Sequence, residues 1–339
     1  MVTQGTPMQP RRVVIGCDLF LDLKLYHLPD EELQRLREAC PFIEVVELNT
    51  GGELDVALDT VEVYWGNRVT LDLISRLPSL KWIHFGSVGV DRAVTPEVSR
   101  RNIVVTNSRG VMVGAMVATT VGFMCALARG FHYCWQLRAK GVLNRRTFDQ
   151  YFQDIHDLED ETCLIVGCGD VGRRLVAICV SLGMKVIAIK NDISQCSNGV
   201  QGVYGLDQLG QVVKDADYVI NLLPLTPTTR GVFDAAVFNN MRPRAFFINV
   251  GRGETVTEED LISALTNGVI AGAGLDVFSV EPLSPDSILW RLPNVVLTPH
   301  VAGVSNGYWK KECALMRDNL WRYVNQEPLL NVVDMHKGY

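Results

Sequence analysis

Two α/β domains, each built on a doubly wound parallel sheet, are what the sequence predicts, and three observations predict it. The chain has 339 residues, too many for one ordinary core and suited to two of roughly 100–200 residues each. Short apolar runs alternate with helical patterns almost throughout, the signature of parallel α/β structure. A glycine-rich turn near the middle then restarts that alternation behind a long apolar stretch.

The elements follow in order. "RVVIGC" (12–17) reads as a strand, and "PDEELQRLREAC" (29–40) as a helix opened by proline and acidic residues. "VEVYW" (61–65), "LKWIHF" (80–85) and "NIVVTN" (102–107) are further strands, with a helix over 69–77 between the first two. From 113 to 140 the apolar content is too continuous for a strand and predicts one long buried helix, stopped at Gly141. The second alternation comprises strands "TCLIVG" (162–167), "KVIAI" (185–189), "YVINLL" (218–223), "AFFINV" (245–250), "VIAGAGLDVF" (269–278) and "NVVLT" (294–298). A helix fills about 171–182, and an amphipathic helix over 308–324 comes last.

Composition narrows the function. With 47% hydrophobic and 21% charged residues the chain is of the soluble globular kind. A net charge of −6 argues against nucleic acid or an anionic membrane as the main partner. Nine cysteines without a Cys-x-x-Cys pair suit neither a zinc site nor a disulfide framework, and fit a reducing cytoplasm. No run reaches the ~18–20 apolar residues of a membrane span. The segment "MVTQGTPMQPRR" lacks the apolar core of a signal peptide, and residues 1–10 read as a disordered tail.

The strongest motif is "TCLIVGCGDVGRRL", which sets Gly167, Gly169 and Gly172 as G-x-G-x-x-G between a strand and a helix. In that context the pattern marks dinucleotide binding. Gly167 allows the tight turn, Gly169 the approach of a pyrophosphate, and Gly172 the packing of helix on sheet. The anion then lies at the helix N-terminus, where unpaired N–H groups and the dipole favour it. NAD sites usually place an acid at the end of the next strand, but here "KVIAIKND" holds Lys190, followed by Asn191 and Asp192. A cation there suits a 2′-phosphate and leans the choice towards NADP. The alternative is a solvated lysine beside an ordinary NAD pocket, with Asp192 reaching the ribose.

Three residues stand in loops after predicted strands: Arg252 between two glycines, Glu281 before Pro282, and His300 behind Thr-Pro. In open parallel sheets ligands bind at those carboxyl ends. Each alone has an ordinary explanation as an ion pair, a turn residue or a half-buried histidine. Together, downstream of a nucleotide motif, they point to one site.

The ordered blocks "GCGDVG", "LLPLTPTTRGVF", "INVGRGETVTEEDLISAL", "IAGAGLDVFSVEPL" and "NVVLTPHVAG" resemble the D-isomer-specific 2-hydroxyacid dehydrogenases, over about 80–324 and most densely 162–303. That family includes phosphoglycerate dehydrogenase, glyoxylate/hydroxypyruvate reductase and D-lactate dehydrogenase. The resemblance implies that Arg252, Glu281 and His300 are the catalytic trio. It implies a Rossmann NAD(P)-binding domain over 107–303, inserted in a flavodoxin-like substrate domain made of 11–106 and 304–332, and a homodimer. Cofactor contacts would come from Asp170, Val171, Leu223, Pro224, Thr229, Val250, Gly251, Asp276 and Gly303, besides the residues already named. Backbone N–H groups of Ser87, Val88 and Gly89 would hold the substrate carboxylate.

The chemistry agrees with the residues. Reducing a 2-keto acid needs a hydride at the carbonyl carbon and a proton at its oxygen, and His300 can supply the proton. A hydrogen-bonded Glu281 would orient the ring and favour the imidazolium. Arg252 offers a planar fork to carboxylate and carbonyl. The family often carries an acid in the long helix where this chain has Thr119, which receives no role. Tyr64 and Trp65 stand where phosphoglycerate-type members tend to have Arg-Ser, which argues against that substrate. Glu281 argues against formate dehydrogenases, which typically have glutamine. A nucleotide-sensing corepressor of the same fold is the alternative, disfavoured by the lack of long interaction tails. Keto-acid turnover with NADPH or NADH separates the two.

Overall fold

The computed structural model describes residues 11–20, 23–48, 58–90, 96–190 and 198–335. The tail over 1–10, Asn191 and Asp192 lie outside the described residues. The chain forms two compact units, one of Met1–Met112 with Val304–Tyr339 and one of Val113–Gly303.

The first unit carries a parallel sheet of β1 (Val13–Cys17), β2 (Ile43–Glu47), β3 (Val63–Gly66), β4 (Trp82–Phe85) and β5 (Val104–Asn107). Its order, β2-β1-β3-β4-β5, reverses direction between β1 and β3, as in doubly wound sheets of the flavodoxin type. Interior strands are apolar on both faces because helices cover both. These helices are α1 (Asp30–Ala39), α2 (Leu71–Arg76), α3 (Pro96–Arg100) and the last helix, α11 (Tyr308–Val324). Acids at Asp30, Glu31 and Glu32 and a base at Arg37 complement the α1 dipole, and Leu33 and Leu36 form its buried stripe. In α11 the buried stripe runs Tyr308, Trp309, Glu312, Cys313, Met316, Asn319 and Leu320.

The second unit carries seven parallel strands: β6 (Thr162–Val166), β7 (Lys185–Ile189), β8 (Val200–Tyr204), β9 (Tyr218–Asn221), β10 (Phe246–Asn249), β11 (Gly272–Leu275) and β12 (Val295–Leu297). The order β12-β11-β10-β9-β6-β7-β8 reverses between β6 and β9, the Rossmann arrangement. Its helices are α4 (Val113–Ala128), α5 (Phe131–Ala139), α6 (Arg145–Phe148), α7 (Asp170–Ser181), α8 (Leu209–Val212), α9 (Ala235–Asn240) and α10 (Glu258–Thr266). Among the described residues no single helix is long and apolar enough to cross a membrane. The eight described cysteines are all free, and burial pushes the Cys17 thiol up to about 12.

Three expectations need correction. Residues 107–112 stay with the first unit, because Asn107 ends β5 beside Phe85 and the Ser108 N–H bonds Ser87 O at 3.0 Å. The run "VIAGAGLDVF" yields a strand of only four residues, β11, with α4 pressed on it. A Cβ at Gly274 would meet the Phe123 ring and Cβ at 2.7–3.1 Å, so the glycine admits the helix. The predicted helix over 113–140 is two helices, α4 and α5, bent by 71°. Gly130 makes the break at φ +63°, its N–H closing on Leu127 O at 3.2 Å.

Gly130 and Gly141 form an internal control for what that break requires. Both are left-handed, at φ +63° and +69°, but a Cβ at Gly130 would lie 2.5 Å from Ile155 Cδ1, whereas at Gly141 it meets nothing within 4 Å. Gly141→Ala should therefore cost about 1–2 kcal/mol from backbone strain alone. Gly130→Ala should cost that plus about 1–3 kcal/mol of overpacking. Urea unfolding of both variants is the check, and equal costs would remove the packing argument.

Candidate active site

All seven strands of the second sheet are parallel, so every loop of this unit called functional from the sequence leaves the same, carboxyl, edge. At the first of these, β6 is followed by Gly167 at φ +98°, where a Cβ would stand 3.0–3.2 Å from the Leu222–Leu223 backbone. A Cβ on Gly172 would lie 2.9 Å from Gly167 O, so α7 can start this close to the turn only with glycine there. At Gly169, which caps α7, a Cβ would meet nothing within 4 Å, leaving open space beside the N-terminus of a 12-residue helix. That is a fitting cradle for a pyrophosphate. Asp170 pairs with Arg173 one turn on, and Val171 is half-buried. Lys190 follows β7 directly, half-buried, its amide held by Tyr204 O of β8 at 3.0 Å.

Behind β9, the Thr229 hydroxyl donates to Pro224 O at 2.7 Å and accepts from Thr226 N at 2.8 Å, closing the loop that begins at Leu223. Leu223 N is held by the Asn221 side chain at 3.1 Å.

Arg252 owes its flanking glycines to crowding. A Cβ on Gly251 would lie 2.8 Å from Leu223 O, and one on Gly253 only 1.9 Å from Phe278 O. Neighbouring loops press on both sides, and Arg252 supplies the only long side chain of the three. Its carbonyl is fixed by the Thr255 hydroxyl at 2.6 Å and the Asn249 amide at 3.3 Å. Its guanidinium donates to Gly251 O at 2.8 Å. Asn221 and Asn249 are paired residues in register at the ends of β9 and β10, joined side chain to side chain at 3.0 Å. Val250 and Gly251 continue from β10 with N–H groups on Asn221 O and Asn249 Oδ1 at 3.2 and 3.1 Å.

His300 and Glu281 meet at 2.7 Å, Nδ1 to Oε2, while Glu281 Oε1 accepts Phe278 N–H at 3.1 Å. Burial alone would raise the Glu281 carboxyl. The His300 and Phe278 hydrogen bonds, with the charges of His300 and Arg252, outweigh it and hold the group below its ordinary value. It therefore stays ionised through the neutral range. Nε2 of His300 has no partner among the described residues, and the side chain is half exposed. His300 adopts φ +54°, a conformation that β-carbon residues adopt at a cost. Asp276 holds it there. Its carboxylate accepts the Thr298 hydroxyl at 2.5 Å, Val301 N at 2.9 Å and Ala302 N at 2.9 Å, and its carbonyl accepts His300 N at 2.8 Å. Thr119 of α4 adds a bond to Ala302 O at 3.4 Å, next to Gly303.

In the first unit, residues 87–89 follow β4 at the carboxyl edge of that sheet. Tyr64 and Trp65 are fully buried in β3, tied to Asp18 and Glu312. Among the described residues no group of three His, Cys, Asp or Glu is arranged to hold a metal. The sequence reading missed Asn221, Asn249 and Thr255, which fix the Arg252 loop. The available signal was an Asn closing each of the two apolar strands, "YVIN" and "FFIN".

Residues 121–302 match the model of the D-isomer specific 2-hydroxyacid dehydrogenase NAD binding domain. Glyoxylate/hydroxypyruvate reductase B of Klebsiella pneumoniae is 30% identical over 313 residues, 91% of this chain and 96% of that one. Among solved structures, an NADPH-dependent glyoxylate/hydroxypyruvate reductase from Sinorhizobium meliloti, in complex with NADP and sulfate, superposes with a TM-score of 0.82 at 29% identity, covering 97% of this chain and all of that one. A D-isomer specific 2-hydroxyacid dehydrogenase from Xanthobacter autotrophicus, in complex with NADPH, reaches 0.83 at 27% identity over 97% and 100%. With an Arg, a Glu–His pair and a glycine turn at one sheet edge, and a match that spans nearly the whole chain, the protein belongs to the D-isomer specific 2-hydroxyacid dehydrogenase family.

Proposed function

We propose that the chain reduces glyoxylate and hydroxypyruvate, taking its hydride from NADPH, with Arg252, Glu281 and His300 as the catalytic residues. As a member of its family it is an NAD(P)-dependent oxidoreductase acting on small 2-keto and 2-hydroxy acids. The observation that carries the reading is the 2.7 Å Glu281–His300 contact, which leaves Nε2 open on a half-exposed ring. The bound cofactor supplies a hydride to the carbonyl carbon of the keto acid. His300 then delivers a proton from Nε2 to the oxygen, giving the 2-hydroxy acid and leaving the imidazole neutral. Glu281 orients the ring through Nδ1. Arg252 pairs its fork with the substrate's carboxylate and carbonyl. Ser87, Val88 and Gly89 offer amides to the same carboxylate class. The relatives named above carry reductase or dehydrogenase names, and nothing favours a nucleotide-sensing corepressor.

In this reading the cofactor is NADP(H): the turn of Gly167, Gly169 and Gly172 would hold its pyrophosphate and Lys190 its 2′-phosphate. The solved relatives in complex with NADP or NADPH support the choice. We place the enzyme in the cytoplasm as a homodimer. Support for pairing comes from large apolar side chains left exposed in one stretch of the second unit: Phe131 (48%), Trp135 (50%), Leu143 (54%) and Phe152 (70%).

A steady-state assay with NADPH should show turnover of glyoxylate or hydroxypyruvate. His300→Gln should lower kcat by at least ~10²-fold while NADPH affinity changes little, because general acid catalysis contributes 10²–10⁴-fold. Retained turnover at pH 7 would sink the assignment.

For the cofactor, a partly exposed Lys190–phosphate pair is worth only ~1 kcal/mol, a several-fold preference for NADPH. Lys190→Asp should abolish that preference, read as the ratio of kcat/KM with the two cofactors. An NADH-preferring parent with an unchanged ratio in the variant would make Lys190 a bystander.

Sedimentation velocity should give a dimer that Trp135→Glu splits into monomers. A monomeric parent at micromolar concentration rules the dimer out.

A further inference from the structure

A carboxylate has no place in the apolar stripe of α11, yet Glu312 sits there with no solvent exposure. Burying it is costly unless every lone pair is used. Glu312 Oε1 accepts Trp65 Nε1 at 3.0 Å and faces His84 Nε2 at 3.1 Å, and Oε2 lies 2.6 Å from the Ser108 hydroxyl. His84 Nδ1 in turn meets Thr106 Oγ1 at 2.6 Å, which accepts Trp82 Nε1 at 2.8 Å. Four side chains from three strands and one from the loop after β5 are thus built around one acid. Apolar residues in place of the whole cluster would typically leave stability equal or higher, so stability alone does not account for it.

The neighbouring backbone does. Each carbonyl of residues 86–89 has a donor from the first unit. Gly86 O takes the Tyr308 hydroxyl at 2.6 Å and Ser87 O the Ser108 N–H at 3.0 Å, while the one Ser108 hydroxyl hydrogen goes to Glu312. Val88 O takes the Asn107 amide at 2.8 Å, and Gly89 O the Ser87 hydroxyl at 2.9 Å. Among the described residues the N–H groups of Ser87, Val88 and Gly89 have no acceptor, and these three residues are not buried. A loop whose carbonyls are all engaged is fixed with its amides free for an anion.

We propose that Glu312 is a positioning residue for substrate: by holding the Ser108 hydroxyl it fixes the residue whose N–H binds Ser87 O and, with Tyr308 from its own helix on Gly86 O, presets the amides of residues 87–89 for the keto-acid carboxylate. This rests on the reading that those amides hold that carboxylate. Glu312 touches no substrate itself.

The test uses the full-length protein with Glu312→Leu and Ser108→Ala. Ser108→Ala cuts the link to the loop but leaves Glu312 with Trp65 and His84, and it decides the matter if Glu312→Leu fails to fold. Both should raise KM for glyoxylate about tenfold, the size of one lost charged hydrogen bond. NADPH affinity should stay within about twofold and kcat within about threefold, with circular dichroism unchanged; a merely structural lesion would not separate KM from the other two. Amide resonances of Ser87, Val88 and Gly89 in the parent, titrated with oxamate in saturating NADP, read the underlying assumption separately. If they shift and folded variants keep KM, the role of Glu312 is overturned while the loop reading stands. If they do not shift, both fall.

Discussion

One buried carboxylate governs the carboxyl edge of the second unit's sheet. Asp276 is 1% exposed, and both its oxygens are spent on residues 298–302. Without those bonds the chain would have no reason to hold a histidine in the left-handed region, where a side chain with a β-carbon is strained by about 1–2 kcal/mol. The geometry of His300 is therefore paid for by a neighbour one strand away. The Glu281 contact acts on a ring whose backbone has already been set.

The Arg252 side of the site follows a different logic. There the constraint is steric: two loops approach so closely that only glycine fits at 251 and 253, and the arginine between them has its carbonyl pinned by Thr255 and Asn249. Asn221 and Asn249 serve because a strand end in a parallel sheet leaves backbone groups without ladder partners, and a short amide can both donate and accept there. Rigid support under both Arg252 and His300 leaves few degrees of freedom to arrange in the chemistry proposed for them.

Much of this was legible in the sequence. Interior strands such as "LIV" and "FFI" declare themselves because helices cover both faces, and the G-x-G-x-x-G turn has a spacing with mechanical content. Edge strands β2 and β8 went unread: with one neighbour each, their residues need not be uniformly apolar, as the mixed burial of "IEVVE" and "VQGVY" illustrates. The bend at Gly130 was hidden because continuous apolarity marks burial and not straightness. Arg252, Glu281 and His300 could be named from chain order, but that Glu281 reaches Nδ1 at 2.7 Å could not, since it depends on where two loops cross. Glu312 was invisible for a related reason: its partners lie more than 200 residues away in sequence.

That last separation bears on how the molecule comes into being. The second unit is complete once Gly303 has been made, whereas the first still lacks α11. Until that helix docks, Trp65, His84 and Ser108 have no Glu312 to meet, and the sheet of β1 to β5 shows the apolar face that Tyr308, Trp309 and Met316 cover. Domains generally fold as units during synthesis. Here the unit begun first is finished last, and its oldest strands wait, unsealed, through the translation of everything between.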